Sequence, residues 1–382
     1  MTSTFPVQNL MQLLSWYREN ARELPFRGTG DPYRIWISEI MLQQTRAAAV
    51  IRYFERFTEK LPDVYALAAV GDDELMKLWE GLGYYTRARN LKKCAQVLVQ
   101  EYGGRFPEEY DELLRLPGIG FYTAGAIASI AFKKPVPAVD GNVMRVMSRL
   151  TDDTRDVCDM KTKRAVFEEL SQSYRKLPDP KCCGDLNQAF MDLGSEICVP
   201  GTPKCGGCPL AGNCKALREG PGRPSELPVR KKSCAKRVEK RTILVICAGD
   251  RILLHRRPDK GLLAGLFEFP GLSGHRGEKE VLEAAEDFGF EPLRVERLAD
   301  RRHVFSHVIW DMIAYRVRVA DLREAADGNK EETVSQRLAV AEETEAYDPL
   351  SAVASEGQEW LWVSRREAGK SVPVPSAFAG WL

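Results

Sequence analysis

Apolar residues between positions 1 and about 215 recur at helical spacing, and the alternation typical of strands is scarce there. Asp31 followed by Pro32 predicts a helix start, after which an apolar-rich segment runs from Tyr33 to Phe57. This part of the chain is therefore predicted to be all-α. Further helices are predicted over residues 63–79, 87–103, 108–115, 121–132, 141–150, 160–174 and 184–196.

The pattern changes after residue 215. Glycines and prolines recur in residues 216–240, so any helix is expected to break there, and the segment is predicted to be a linker. Thr242–Ala248 and Arg251–His255 are apolar runs separated by the turn signal Gly249-Asp250, which predicts a β-hairpin.

Residues 241–382 continue with a helical pattern over Lys279–Phe288 and with a stretch from Val304 to Arg318 that is interpreted as paired strands. A small α/β domain is predicted. Because 382 residues are long for one hydrophobic core, we expect a multi-domain chain. Its parts are an all-α catalytic region (1–215), a basic linker (216–240) and an α/β domain (241–382).

Composition narrows the class of protein. Hydrophobic residues make up 44% of the chain and charged residues 29%, which is typical of a soluble globular protein. No apolar run approaches the ~20 residues of a membrane span, and Met1 to Trp16 lack the pattern of a signal peptide. We expect a cytoplasmic protein without a targeting signal or a membrane partner. In that reducing compartment, ten cysteines favour a metal or cluster site over disulfides.

Charge is distributed unevenly, although the net charge is only +1. Residues 215–241 contain ten Lys or Arg and three Glu, whereas residues 321–359 contain eleven Asp or Glu and three Lys or Arg. A basic surface can meet a polyanion. A solvated linker followed by a solvated acidic loop explains the same counts.

Four cysteines follow the spacing C-x6-C-x2-C-x5-C among prolines and glycines that favour tight turns. Four thiolates suit a [4Fe–4S] cluster or a structural zinc ion. All four lie within one 17-residue stretch, which favours the cluster over the two separated knuckles of a zinc site. Electron transfer and mechanical support of the loop both remain open as its role. The candidate ligands are Cys198, Cys205, Cys208 and Cys214.

The string Leu116-Pro117-Gly118-Ile119-Gly120 separates two predicted helices. Such a turn exposes backbone N–H groups beside the positive end of the next helix, so it can bind a phosphate without reading sequence. An ordinary packing corner between two helices is the alternative interpretation.

Carboxylates are the candidate catalysts, because all four histidines lie beyond residue 250. Glu39 has mostly apolar neighbours on a predicted helix, and burial there would raise its pKa and make it a general acid. Asp140 precedes a predicted helix whose N-terminus would keep it ionised, so it could stabilise a sugar cation. A surface glutamate and a plain helix cap are the alternatives.

Together these elements resemble the helix–hairpin–helix DNA glycosylase superfamily, and within it the MutY type of adenine DNA glycosylase. The resemblance covers roughly residues 5–240. It is carried by Ser38 to Thr45, Trp79 to Tyr85, Leu116 to Ala124, Val139 to Val146 and the four-cysteine loop.

The resemblance implies a monofunctional enzyme that removes adenine from a mispair with 8-oxoguanine or guanine in double-stranded DNA. Glu39 would protonate the flipped adenine, Asp140 would stabilise or trap the sugar, and Tyr122 and Asn142 would position these groups. The related endonuclease III-like lyases have a lysine where Tyr122 stands, so no Schiff base is expected at that position. The implied DNA contacts are Gln44, Tyr84 (with Tyr85 as the alternative wedge), Leu116, Gly118 and Gly120.

The C-terminal domain resembles the Nudix-related domain of the same family. Gly265 to Gly271 fits its strand-and-turn signature, whereas the hydrolase box is degenerate, with Leu282 in place of the expected Arg. The resemblance implies a sensor for 8-oxoguanine, with Phe305, Ser306 and His307 as the recognition loop. A plain hairpin with a polar tip is the alternative for these three residues. The protein is expected to be a bacterial-type monomer that associates with the nucleoid through DNA.

Three other functions compete with this one. A thymine-glycol glycosylase with lyase activity is disfavoured by Tyr122 and by the extra domain. A hydrolase of oxidised nucleotides is disfavoured by the broken box. A non-enzymatic iron–sulfur DNA-binding module is disfavoured by the sequence contexts of Glu39 and Asp140.

Overall fold

The computed structural model describes residues 5–231, 235–258, 260–320, 360–368 and 372–382. Two compact units divide the chain. The first comprises Met1–Asp72 and Thr86–Ser233, and the second comprises Asp73–Tyr85 and Cys234–Leu382. The acidic segment 321–359 lies outside the described residues.

Helices build the first unit, as predicted. The side chain of Asp31 accepts a hydrogen bond from the backbone N–H of Tyr33, and Pro32 occupies the first turn, so the predicted helix start is confirmed. In chain order the helices up to residue 226 are α1 (Val7–Asn20), α2 (Pro32–Leu42), α3 (Ala47–Lys60), α4 (Val64–Ala69), α5 (Asp72–Trp79), α6 (Thr86–Tyr102), α7 (Tyr110–Leu113), α8 (Phe121–Ile130), α9 (Gly141–Thr151), α10 (Met160–Tyr174), α11 (Cys183–Asp192), α12 (Lys215–Glu219) and α13 (Arg223–Glu226). All of α5 except its first residue belongs to the second unit.

A short break divides the apolar-rich segment between α2 and α3. Gln44 lies in this break with φ of 62°, a conformation that non-glycine residues adopt at a cost. Arg87 donates hydrogen bonds to three carbonyls at the end of α2, those of Ile40, Met41 and Gln43. The guanidinium thereby satisfies carbonyls that the end of a helix leaves without partners.

Apolar side chains from four helices form the core of the first unit. Leu10 of α1, Met147 of α9, Leu170 of α10 and Phe190 of α11 belong to one buried cluster. This packing fixes α9, and with it the residue that precedes α9, Asp140.

The predicted helix break is confirmed, because α12 ends at Glu219 just before Gly220, but residues 216–240 also contain short regular elements. Most of α12 and all of α13 lie there, and the first strand of the second unit already begins at Arg237. Pro224 lies in the first turn of α13, where its missing N–H would have no helical partner anyway.

A mixed sheet dominates the second unit. Its elements are β1 (Arg237–Ala248), β2 (Arg251–Arg256), β3 (Phe267–Glu268), β4 (Gly271–Ser273), α14 (Glu278–Asp287), β5 (Pro292–Val304), β6 (Val308–Val319), β7 (Trp360–Ser364) and α15 (Arg365–Ala368). The strand order is β3-β2-β1-β6-β5, with β4 also paired to β1 and β7 to β2. Strands β1 and β6 pair in parallel, and the other pairs are antiparallel.

The predicted β1–β2 hairpin is confirmed, with Ala248 opposite Arg251 across the turn. The helix predicted over Lys279–Phe288 is confirmed as α14. The prediction of paired strands from Val304 to Arg318 is wrong, because residues 308–319 form a single strand. Its hairpin partner is the preceding strand β5, which is largely exposed and therefore lacks an apolar alternation.

Each face of the sheet has its own core. One face packs against α14 through Val281 and Phe288, and the other packs against the C-terminal residues Phe378 and Trp381. A mixed sheet covered on both faces is an α/β arrangement, as predicted. Among the described residues, no helix is long and apolar enough to cross a membrane.

Candidate active site

A cavity of about 800 Å³ in the first unit brings five of the predicted site residues together: Glu39, Gln44, Tyr122, Asp140 and Asn142. They come from α2, from the break after α2, from the first turn of α8 and from the start of α9. Sequence reasoning could not place the two carboxylates in one pocket, and the fold does so.

Glu39 lies on a helix that is buried on nearly all sides, and only 6% of its surface is exposed. The hydroxyl of Tyr122 donates a hydrogen bond to its carboxylate. Burial raises the pKa of Glu39 to about 7, although the bond from Tyr122 opposes this shift. Burial also raises the pKa of Tyr122 well above its usual range, so Tyr122 remains a donor. At neutral pH, Glu39 can therefore both hold and release a proton.

Asp140 caps α9 with one carboxylate oxygen, which accepts a hydrogen bond of 2.8 Å from the N–H of Val143. The other oxygen accepts a bond of 2.7 Å from the side-chain amide of Asn142. The hydrogen bonds at the helix N-terminus favour the ionised form of Asp140, as expected, and the ionised state itself stays a prediction. Burial is the larger influence and raises the pKa of Asp140, while these hydrogen bonds lower it.

A missing side chain lets α8 approach the segment before Asp140. A Cβ at Gly125 would lie 2.2 Å from the carbonyl oxygen of Pro137. Gly125 stands three residues after Tyr122, and Pro137 three residues before Asp140. This close approach therefore helps to bring Tyr122 and Asp140 to the same cavity.

An ion-pair network that the sequence analysis missed lies at the same cavity. Asp192 is fully buried and binds Arg22 and Arg27 at 2.6 and 2.7 Å. Both arginines line the cavity, and Arg27 lowers the pKa of Glu39 slightly in opposition to burial. About 165 residues separate these partners in sequence, so no local motif could have found them.

The predicted turn between helices is present at residues 116–120. Gly118 has φ of 75°, which favours glycine, and Gly120 is the residue before α8. A Cβ added at Gly120 would have no other atom within 4 Å, so the backbone of Gly120 is accessible. Leu116 has only 3% of its surface exposed, so its side chain packs inside.

The four candidate cysteine ligands line one cavity with mainly apolar neighbours. Arg149 of α9 lies 3.3 Å from the sulfur of Cys198 and donates hydrogen bonds to the carbonyls of Val199 and Gly201. Across the described residues, no three His, Cys, Asp or Glu side chains are grouped closely enough to hold a metal ion. The nine described cysteines are all free of disulfides.

Residues 305–307 form the turn between β5 and β6. The ring of Phe305 is half-buried between His303 and Trp310, with centroids 4.6 and 4.8 Å away. Ser306 and His307 are exposed and contact each other at 3.2 Å. A hairpin tip is common to both interpretations of these residues, so their role in recognition stays a prediction.

Comparison with known proteins identifies the family. Residues 37–176 match the model of the HhH-GPD superfamily of base excision DNA repair proteins, and residues 241–379 match that of the NUDIX domain. The adenine DNA glycosylase of Mus musculus is 35% identical over 352 residues, which cover 78% of this chain and 68% of that protein. This chain belongs to the adenine DNA glycosylase family.

Two further comparisons agree. The adenine DNA glycosylase of Buchnera aphidicola subsp. Acyrthosiphon pisum is 32% identical over 313 residues, covering 82% of this chain and 87% of that protein. A thermostable thymine-DNA glycosylase of known structure is 30% identical with a TM-score of 0.50 and covers 56% of this chain and 96% of its own. The chain is thus a base-excision-repair enzyme that removes adenine, with a helical glycosylase core and a Nudix-like domain.

The two candidate wedge residues of this adenine DNA glycosylase differ in exposure. Tyr84 has 47% of its surface exposed, whereas Tyr85 has 8% exposed. A side chain that enters a base stack must be accessible. This difference favours Tyr84, as the sequence analysis did.

Sequence reasoning also missed an amine at the cavity of the glycosylase. Lys163 of α10 is half-buried and lines the cavity that contains Glu39 and Asp140. Its position in the sequence matches no lyase motif, so only the fold could reveal it. An amine near a sugar carbon can act as a nucleophile, and any test of the reaction must include it.

Proposed function

We propose that this glycosylase hydrolyses adenine paired with 8-oxoguanine or guanine in double-stranded DNA, as a cytoplasmic monomer without lyase activity. The observation that supports this proposal best is the arrangement of Glu39, Tyr122 and Asp140 at one cavity. One carboxylate has a pKa near neutrality, and a second lies close enough to influence it. Two carboxylates with different surroundings are the groups that glycosidic bond cleavage needs.

In this proposal, Glu39 donates its proton to the flipped adenine and makes the base a better leaving group. Tyr122 holds the carboxyl in position through its hydrogen bond. Because the pKa of Glu39 is about 7, a useful fraction is protonated at neutral pH, and its proton affinity suits rapid transfer.

Asp140 faces the positive charge that develops on the sugar as the base leaves. Its two oxygens are held by Val143 and Asn142, so the carboxylate cannot turn away. Asn142 is itself fixed by a hydrogen bond of 2.8 Å from Arg145. A carboxylate oriented before the reaction lowers the barrier without reorganisation. Water then attacks the sugar, with Asp140 as electrostatic partner or transient covalent acceptor.

The DNA contacts follow the exposed features of each unit. The backbone of Gly118 and Gly120, beside the start of α8, binds a phosphate, with Leu116 anchoring the turn from within. Gln44 and Tyr84 enter the space left by the flipped base. Both have positive φ, 62° and 49°, and such strain is common at functional sites.

The four cysteines fit a [4Fe–4S] cluster. They line one small, mainly apolar cavity, so four thiolates would converge there away from water. When bound, the cluster would tie Cys198, Cys205, Cys208 and Cys214 into one rigid loop and could also exchange electrons.

Ser306 at the exposed hairpin tip is proposed to hydrogen-bond the 8-oxoguanine opposite the adenine. Ser306→Ala should lower the ratio of rates for 8-oxoguanine over guanine about fivefold, since one hydrogen bond is worth about 1 kcal/mol. Ser273→Ala, an exposed serine of β4, is the control. An unchanged ratio would remove Ser306 from the recognition loop.

The decisive experiment uses a duplex with one adenine opposite 8-oxoguanine, with strand breaks scored before and after hot alkali. Breaks that need alkali are expected, since hydrolysis leaves an abasic site with an intact backbone. Breaks without alkali that disappear in Lys163→Met would show that Lys163 acts as a lyase nucleophile. No base release at all would refute adenine removal from this mispair.

A further inference from the structure

The second unit contains a group of arginines that the glycosylase reaction does not use. On β6, Trp310, Met312 and Ala314 contribute to an apolar core on one face of the sheet. The next residues on that face are Arg316 and Arg318. The face therefore changes from apolar to basic at the end of the strand.

Strand pairing places a further arginine there. Arg294 of β5 lies directly opposite Arg318 of β6. Like charges opposite each other on antiparallel strands destabilise the pair. Neither arginine forms an ion pair with any residue of the described ranges. The fold therefore contains a repulsion between Arg294 and Arg318 that its own packing does not explain.

A β-bulge shapes the same place. The register of β5 against β6 shifts between Pro292 and Arg294, which leaves Leu293 as an extra residue with 65% of its surface exposed. Bulges re-aim side chains and are frequent beside functional sites. Here both Leu293 and Arg294 face the same depression.

That depression is a cleft of about 590 Å³, lined by Arg294, Arg316, Arg318, Arg365, Leu293 and Gly249 among others. Its lining, as far as the structure describes it, contains no carboxylate. The Nε of Arg316 is buried without a hydrogen-bond partner, and the guanidinium of Arg365 donates to the weak acceptor sulfur of Cys247, at 3.1 Å. Glu296 pairs with Arg316 from outside the lining, at 3.3 Å.

The cleft is separate from both features that the family resemblance assigns to this unit. The helix of the degenerate Nudix box, α14, packs on the opposite face of the sheet. The hairpin tip at residues 305–307 lies at the other end of β5, ten residues from Arg294. At ~3.4 Å per residue, this separation is about 34 Å. DNA held at the tip therefore does not need to reach the cleft.

We propose that this arginine cleft binds a small polyphosphate ion, such as pyrophosphate or the phosphate groups of a free nucleotide. Several guanidinium groups around one concave site match the closely spaced charges and oxygen acceptors of such an ion. Binding would also remove the repulsion between Arg294 and Arg318.

The test is calorimetric titration of the full chain with sodium pyrophosphate at ~0.1 M salt and without divalent metal. The wild-type chain and Arg302→Gln are expected to bind equally, because Arg302 is an exposed arginine of β5 outside the cleft. The double variant Arg294→Gln/Arg318→Gln is expected to bind at least tenfold more weakly. Its thermal midpoint should equal or exceed that of the wild type, because a repulsion is removed, and Arg294→Gln alone serves if the double variant fails to fold.

A parallel titration with duplex DNA separates the two sources of phosphate. The double variant is expected to bind the duplex as the wild type does. Weaker duplex binding by the double variant, without pyrophosphate binding by the wild type, would overturn the proposal and make the cleft a DNA backbone contact. Equal pyrophosphate binding by all variants, or no binding by the wild type, would also overturn it.

Discussion

Among the residues that the structure describes, each unit contains one buried glutamate, and the two are in opposite electrostatic states. Glu39 has 6% of its surface exposed and Glu268 has 4%. Burial raises the pKa of Glu39 to about 7, and the hydrogen bond from the neutral Tyr122 does not reverse this shift. Burial acts in the same direction on Glu268, but Arg241 and Arg257 outweigh it and hold its pKa below the usual range.

The comparison shows that burial alone does not make a glutamate an acid catalyst. A neutral hydrogen-bond donor leaves the pKa of a buried glutamate near neutrality, whereas neighbouring cations lower that pKa and keep the side chain ionised. The carboxylate of Glu268 lies 2.5 Å from Arg257 and 3.5 Å from Arg241, so it is a permanent anion that joins β3 to neighbouring elements. Glu39 is suited to proton transfer, and Glu268 to structure.

Glu39→Gln should give the largest effect. The amide keeps the shape of the side chain but cannot donate an acidic proton, so base release should slow by about 10³-fold. Single-turnover rates with excess enzyme provide the measurement, and Glu55→Gln, at an exposed position of α3, is the control. A rate within tenfold of the wild type would contradict the role of Glu39 as the acid.

Glu268→Gln should have the opposite profile, with lost stability and retained chemistry. In this variant Arg241 stays buried without the neutralising carboxylate of Glu268. Breaking such a buried ion pair lowers the free energy of unfolding by ~3 kcal/mol. Urea unfolding should show the loss, while the single-turnover rate on an adenine–guanine duplex stays within about threefold. Glu278→Gln, at an exposed end of α14, is the control. An unchanged unfolding midpoint would mean that the two glutamates do not differ as described.

The pH dependence of stability can sharpen the comparison. The folded-state pKa of Glu39, about 7, exceeds the ordinary value of 4.5. Between these values the folded chain keeps a proton that the unfolded chain has lost, so this contribution falls as pH rises and is constant above about 7. Glu39→Gln should therefore gain about 2 kcal/mol relative to wild type between about pH 5 and about pH 8. Urea unfolding of both chains at the two pH values measures this, and a constant difference would contradict it.

Tyr122→Phe should have the smallest effect. The hydroxyl of Tyr122 lowers the pKa of Glu39, so its removal should raise that pKa further. The decline of activity at alkaline pH should then begin at a higher pH. Single-turnover pH–rate profiles measure the shift, with Tyr33→Phe as the control because Tyr33 bonds the distant carbonyl of Leu61. A profile that stays in place would show that Tyr122 does not tune the acid.

Local patterns predicted much of the fold because the responsible interactions are local. The cap at Asp31 and the hairpin around Gly249 depend on neighbouring residues, and both were found. The exposed strand β5 was missed because its apolar and polar residues alternate little. Its pairing with β6, and not a local sequence pattern, makes it a strand. The parallel pairing of β1 with β6 joins residues about 70 apart, which no local signal contains.

The candidate site shows the same division. Apolar neighbours correctly indicated that Glu39 is buried, since they lie on the same helix. The helix that follows Asp140 supplies hydrogen bonds that lower its pKa, whereas burial by the surrounding fold, which no local pattern contains, raises it. The Arg27–Asp192 pair and Lys163 reach the cavity only through tertiary packing.

Helix α9 joins the proposed chemistry to the cysteine loop. Asp140 caps its beginning, and farther along it Arg145 and Arg149 donate hydrogen bonds to the carbonyls of Cys198 and Val199. If the loop holds an iron–sulfur cluster as proposed, the cluster would fix the carbonyls that both guanidinium groups bind and would thereby support the helix that presents Asp140. The accuracy with which a cell preserves its genome would then depend on its iron nutrition.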